Sequence, residues 1–230
     1  MARGTTLSFL AGYVDTLGFV ALHGLFTAHV TGNFVLLGRE VVAPGNDVLL
    51  KLLAFPAFVG GVVAVRALVR RCQASGSEAL RPAHLLQAAL MLAAAASARW
   101  DMAVGLLCAA AMGAQNGYGK LLLAKLPAST VMTGNVTQLV IDCLDRAGGA
   151  ERPALAALGG GVLAFAAGCV MGALASRWGM GVGLLPAVAM LLAMAALSRP
   201  DASMPDASMP DASKPDASKP DASKPDNPAL

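Results

Sequence analysis

Apolar segments of roughly 17–25 residues follow one another along this chain, separated by short polar breaks, and that is the length a helix needs to cross a bilayer. The segments are continuously apolar and rich in Ala, Leu and Gly, with no alternation of period two, which excludes a transmembrane β-barrel. Charged residues make up only 13% of the chain, against about 25% in an ordinary water-soluble domain. The fold class expected is all-α: a polytopic helical membrane protein whose partner is the lipid bilayer.

The segments fall at about residues 5–25, 48–69, 83–98, 102–119, 154–175 and 180–197. Two shorter stretches lie between them, and each carries the same tripeptide. Thr31-Gly32-Asn33 lies in the stretch over 27–42, ahead of Arg39-Glu40, and Thr133-Gly134-Asn135 opens a similar stretch that ends at Asp142 to Asp145. A shift of about 101 residues also lays Gly12 on Gly113 and Asp15 on Asn116, and Phe58-x-x-Gly61 resembles Phe165-x-x-Gly168. This is the mark of an internal duplication, with repeat one over about 5–71 and repeat two over about 102–177.

Charge decides how the halves relate. If both triplet stretches crossed the membrane, the cluster from Arg66 to Arg81 would face outward, against the positive-inside rule. If each enters and leaves on one face, six crossings remain. Arg3, Arg70, Arg71, Arg81, Lys120, Lys125, Arg146, Arg152 and Arg199 then lie inside, with Arg39, Lys51, Arg99 and Arg177 outside. Three crossings per repeat is an odd number, so the second repeat must be inverted. Interrupted helices of inverted repeats that meet near the midplane are a recurrent transporter design.

Residues 1–199 thus form the membrane domain. From Pro200 the chain repeats Pro-Asp-Ala-Ser-Met twice and Pro-Asp-Ala-Ser-Lys three times, so 200–230 is expected to be a disordered cytoplasmic tail. The tail holds six Asp and three Lys, which leaves the membrane domain basic; its cations are scattered between apolar spans and form no stripe for nucleic acid. Cys72, Cys108, Cys143 and Cys169 include no CxxC pair and read as small hydrophobes, not as a metal or disulfide set. Arg3 followed by an apolar stretch resembles a signal peptide, but Asp15 at its centre and the lack of an Ala-x-Ala site argue against cleavage.

Asp15 is the one carboxylate deep within a span. Placing a charge there costs at least about 2.5–3.5 kcal/mol, so it should face a cavity or a partner. It could bind a cation or carry a proton, or it could simply hydrogen-bond Thr16, His23 or an Asn of the other half. Asn116, its counterpart, keeps the hydrogen-bonding capacity without the charge. In each triplet the glycine permits a backbone break, while Thr and Asn can satisfy the freed polar groups. Such a break can line a pathway with helix-terminal N–H groups; the plainer reading is a capped helix start. His23 or His29 could join Asp15 in a proton relay, or bond to solvent at the interface. Gly113-x-x-x-Gly117 and Gly168-x-x-x-Gly172 allow close helix approach, within the chain first and between copies in a homo-oligomer second. Gly179-x-Gly181-x-Gly183 lacks the preceding strand that a nucleotide loop needs. No HExxH, GxSxG or P-loop is present, so no enzyme and no cofactor is expected.

Gly12-Tyr13-Val14-Asp15-Thr16-Leu17-Gly18-Phe19 and Phe26-Thr27-Ala28-His29-Val30-Thr31-Gly32-Asn33 resemble the YoaK family of bacterial membrane proteins, also known as domain of unknown function 1275. Ala111-Met112-Gly113-Ala114-Gln115-Asn116 and Thr133-Gly134-Asn135 are similar to its later motif, and the resemblance covers about residues 5–198. It implies a multi-spanning protein of the bacterial inner membrane, with an acid at Asp15 and the triplets as shared features, and supplies no substrate. The expected function is a small secondary transporter or channel-like protein for an unknown small solute, proton- or cation-coupled. Its site would be drawn from Asp15, Thr31, Gly32, Asn33, Asn116, Thr133, Gly134 and Asn135. The alternative is a membrane scaffold or regulatory subunit.

Overall fold

The computed structural model describes residues 2–43, 45, 48–145 and 152–198. Residues 146–151 and 199–230 lie outside them, as do the readings placed there. Among the described residues the chain is helical without a strand. In order it forms α1 (Ala2–Ala21), α2 (Gly32–Val42), α3 (Val48–Ala74), α4 (Leu80–Ala96), α5 (Asp101–Leu122), α6 (Met132–Leu144), α7 (Arg152–Ala175) and α8 (Gly179–Leu197). A 3₁₀ turn, Ser176–Trp178, joins the last two.

Each apolar segment became one helix, and each triplet opened a short one. At 1.5 Å per residue the 11-residue α2 and 13-residue α6 extend about 16 and 20 Å, well short of a bilayer core about 30 Å thick. Two stretches combine sustained apolarity with the length to cross: Val48–Ala74, and Leu155–Leu197, which contains α7 and α8.

The first helix stops at Ala21, four residues before the sequence pattern ends. His23 at φ 54° and Gly24 at φ 82° turn the chain, and the Gly24 N–H bonds the Phe19 carbonyl at 2.9 Å. That is a Schellman-type stop, which the apolar Leu22 and Leu25 conceal in the sequence. His23 ends beside Asp101, 3.6 Å away, and so on a different partner from the one a relay with Asp15 required.

Two long helix pairs dominate the packing, α1 along α7 and α5 along α3, with α4 along α8 as a third. Glycines make both seams tight. A Cβ on Gly12 would strike the Phe165 carbonyl, and one on Gly168 the Phe9 carbonyl. In the other seam, a Cβ on Gly113 would strike the Phe58 carbonyl, and one on Gly61 the Ala110 carbonyl. The small-xxx-small patterns therefore serve contacts inside the chain. Leu10, Val14, Leu17, Met91, Met112, Leu184 and Leu191 fill the space between the pairs.

The short helices sit outside this core. Helix α2 leans on α3 and α6 on α7. Near the end of α2, Glu40 receives the Gly45 N–H and lies 3.4 Å from Lys51 Nζ, in a buried ion pair that ties α2 to α3. Val35, Val41, Val140, Ile141 and Leu144 on the two short helices stay exposed, as expected of surfaces that meet lipid.

Candidate functional site

Asp15 sits on the buried face of α1, 4% exposed, where residues 22–31 fold back over it. Its Oδ1 accepts the backbone N–H of Thr27 and of Ala28, each at 2.7 Å. Longer bonds of 3.4 Å come from the His29 N–H and the Thr27 hydroxyl. Its Oδ2 lies 2.7 Å from His29 Nδ1. Because a carboxylate only accepts, that nitrogen is assigned the proton, which leaves the far side of the ring to face outward. The carboxylate thus fixes a loop and orients a histidine.

Asn33 closes the same loop from the other end. Its Oδ1 accepts the Phe26 N–H at 2.9 Å, and its Nδ2 donates to the Phe26 carbonyl at 2.8 Å. Gly32 presses against the Phe26 ring, whose nearest carbon would stand 2.9 Å from a Cβ there. Thr31 makes no capping bond with its side chain. The first N–H groups of α2 are used instead by the carbonyls of His29, Val30 and Thr31, so they do not line a pathway.

The second half repeats this plan with neutral groups. Asn116, on α5, accepts the Thr130 hydroxyl at 2.5 Å and donates to the Met112 carbonyl at 3.0 Å. Asn135 reaches back seven residues to the Ala128 carbonyl at 2.7 Å, as Asn33 reaches back to Phe26. Gln115 donates to Ser129 Oγ and to the Leu7 carbonyl, both at 3.0 Å. It accepts from Gln87 at 2.8 Å, and Gln87 in turn accepts the Tyr118 hydroxyl at 2.6 Å. Gly134 is looser than Gly32, with Val131 Cγ1 3.4 Å from a Cβ placed there.

The two triplet segments come together. A cavity of about 310 Å³ is lined by His29 and Thr31 from the first and by Thr130, Met132 and Thr133 from the second, with Asn116, Phe55 and Phe58. The His29 side chain is 35% exposed and also approaches the Thr130 backbone carbonyl, so one imidazole touches both segments. Of the residues singled out in the sequence, His29, Thr31, Asn116 and Thr133 face this cavity. Asp15 stands behind His29, and Asn33 and Asn135 hold the loops. Thr130 and Gln115 were not singled out for the site; only the offset from residue 28 to residue 130, matching that of the triplets, points to Thr130.

These asparagines give a direct prediction. Asn33→Ala removes a donor and an acceptor from a half-buried loop and is expected to cost about 1–2 kcal/mol, with Asn135→Ala at the lower end. Thermal unfolding in detergent checks both the loss and the ranking.

Among the described residues no three of His, Cys, Asp and Glu are grouped as metal ligands would be, and the four cysteines are free thiols. A family model described as a protein of unknown function, DUF1275, matches residues 4–197. The UPF0700 transmembrane protein YoaK of Bacillus subtilis (strain 168) is 31% identical over 157 residues, which cover 63% of this chain and 68% of that protein. No solved structure matches the chain.

Proposed function

The chain belongs to the DUF1275 family and is a transmembrane protein, and from that footing we propose that it is a small secondary transporter with its solute site between the two Thr-Gly-Asn segments. The observation that carries this reading is the cavity in which His29 and Thr31 of one segment face Thr130 and Thr133 of the other.

The architecture proposed is six crossings, α1, α3, α4, α5, α7 and α8, with α2 and α6 dipping in from opposite faces. Both termini and most basic loops lie on the cytoplasmic side of the bacterial inner membrane. Paired packing supports an inverted duplication: α1 lies on α7 as α5 lies on α3. The seams agree residue by residue. Gly12 against Phe165 corresponds to Gly113 against Phe58, and Gly168 against Phe9 to Gly61 against Ala110. An inverted repeat is what places two re-entrant segments face to face at one depth.

The lining is polar without a carboxylate: an imidazole and the hydroxyls of Thr31 and Thr133, groups that can both donate and accept. That suits a small polar solute. Asp15 is ringed by N–H groups, an arrangement that favours a proton passed through His29 over a metal cation bound at the carboxylate. The solute leaves chemically unchanged.

A second reading, a scaffold or regulatory subunit without transport, is favoured by the same closure, since Asp15, Asn33 and Asn135 all find partners within their own segments. Asp15→Asn separates the two. Intracellular solute levels are compared between a deletion strain and strains carrying the wild type or Asp15→Asn at equal expression. Transport predicts a solute whose level changes in the deletion, recovers with wild type and does not recover with Asp15→Asn. Full recovery with Asp15→Asn rejects a coupling role for the acid.

A further inference from the structure

The loop after α5 repeats the loop after α1. The two helices end 101 residues apart, at Ala21 and Leu122, and bends follow at residues 27–28 and 129–130. In the first half these bends serve a carboxylate. Asp15 Oδ1 takes the N–H groups of Thr27, Ala28 and His29 together with the Thr27 hydroxyl. In the second half the matching donors are the N–H groups of Ser129 and Thr130 and the Ser129 hydroxyl. Asn116 corresponds to Asp15, but its Oδ1 accepts the Thr130 hydroxyl instead. Among the described residues no acceptor takes either N–H group, and the Ser129 hydroxyl, which accepts from Gln115, donates to none. We infer that a small organic carboxylate from outside the chain takes the place there that Asp15 fills in the first half. Such binding asks nothing of the transporter reading.

A cavity is in place to receive it. It measures about 200 Å³ and is lined by Ser129 and Thr130 of the loop and by Asn116 and Lys120 of α5. Among the described residues Lys120 is its only charged lining residue, so no carboxylate of the chain competes for the donors. Successive backbone N–H groups in a bend form a recurrent anion site, and their bonds to a charged oxygen are roughly twice as strong as neutral ones. Thr130 is buried, so an unmet N–H there carries a desolvation cost that a ligand oxygen removes. Leu7, Leu123, Leu126 and Pro127 add apolar walls for the body of the acid. Since an apolar cavity of about 150 Å³ holds benzene, about 200 Å³ suits an acid up to the size of benzoate. Inorganic phosphate would meet the donors but leave those walls uncovered.

The test titrates the full chain in detergent with acetate, butyrate, benzoate, benzamide and inorganic phosphate, followed by ligand-observed NMR. Benzoate is expected to bind, and benzamide, its neutral near-isostere, about tenfold more weakly. Lys120→Gln should weaken benzoate several-fold and leave benzamide unchanged. Asn116→Asp supplies from within the chain the carboxylate that the first half already has, and should abolish benzoate binding in protein that stays monodisperse. If Asn116→Asp does not fold, Lys120→Gln, at an exposed position, still decides. Equal affinity for benzoate and benzamide overturns the inference, as does benzoate binding unmoved by Lys120→Gln or by a folded Asn116→Asp. Preference for phosphate over the three acids overturns it too, as does failure of all three to bind at about 10 mM. Binding needs no gradient, so failure here leaves the transporter reading standing, and binding without solute movement leaves the carboxylate site standing.

Discussion

Asp15→Ala is expected to lower the stability of the membrane domain by about 3–5 kcal/mol, the largest effect of any single polar substitution in the first half. The side chain is 4% exposed, and its removal leaves the N–H groups of Thr27 and Ala28 buried without an acceptor. Each buried orphan donor costs roughly 1–3 kcal/mol, and a broken buried charge network falls in the same range when summed. His29 also loses the group that sets its tautomer and its angle toward the cavity. Asp15→Asn should cost only about 1 kcal/mol, because its carbonyl oxygen can still accept both N–H groups. The second half already uses an asparagine in this position. Thermal unfolding in detergent, read by the loss of the monodisperse peak, should place Asp15→Ala far below Asp15→Asn. Equal losses for the two would mean that the negative charge, and not the acceptor geometry, holds the loop.

Adjacent glycines in α3 should respond in opposite directions. Gly60 has open space where a Cβ would go, whereas a Cβ on Gly61 runs into the Ala110 carbonyl of α5. Gly60→Ala removes backbone freedom without a clash and is expected to stabilise by about 0.4–1 kcal/mol. Gly61→Ala forces α3 and α5 apart along their seam and is expected to cost about 1–3 kcal/mol or more. The duplication extends the expectation: Gly168→Ala should behave like Gly61→Ala, since it meets the Phe9 carbonyl in the α1–α7 seam. Side-by-side melting of the three variants checks the signs. A Gly61→Ala protein as stable as wild type would show that the two helices do not approach this closely in the membrane.

Helix positions were largely legible in the sequence because a segment's apolar length and its polar ends are local properties. The spans read at 48–69 and 102–119 became Val48–Ala74 and Asp101–Leu122. The end of α1 was not legible, because His23 and Gly24 turn the chain by backbone conformation while their neighbours remain apolar. Asp15 stood out as a charge in an apolar span, with His29 named as one candidate relay partner, but its other partners did not. Two of them are backbone N–H groups, which every residue carries, and only the path of the loop brings them to the carboxylate. The triplets marked the segments that face each other, whereas the division of labour inside them needed coordinates. Threonine faces the cavity, asparagine closes the loop, and Thr130, outside the repeated tripeptide, lines the cavity and donates to Asn116.

The central claim is that the two Thr-Gly-Asn segments meet in the membrane around the path of a solute. Thr31→Cys and Thr133→Cys, introduced together in a background without reactive cysteines, test it most directly. Bis-maleimides of graded length are applied to intact membranes, and solute movement is followed before and after. The account predicts that a short reagent bridges the pair within one chain, that neither single cysteine yields the product, and that bridged protein no longer moves solute. Failure of every short reagent to bridge the pair, or undiminished solute movement through bridged protein, would contradict it.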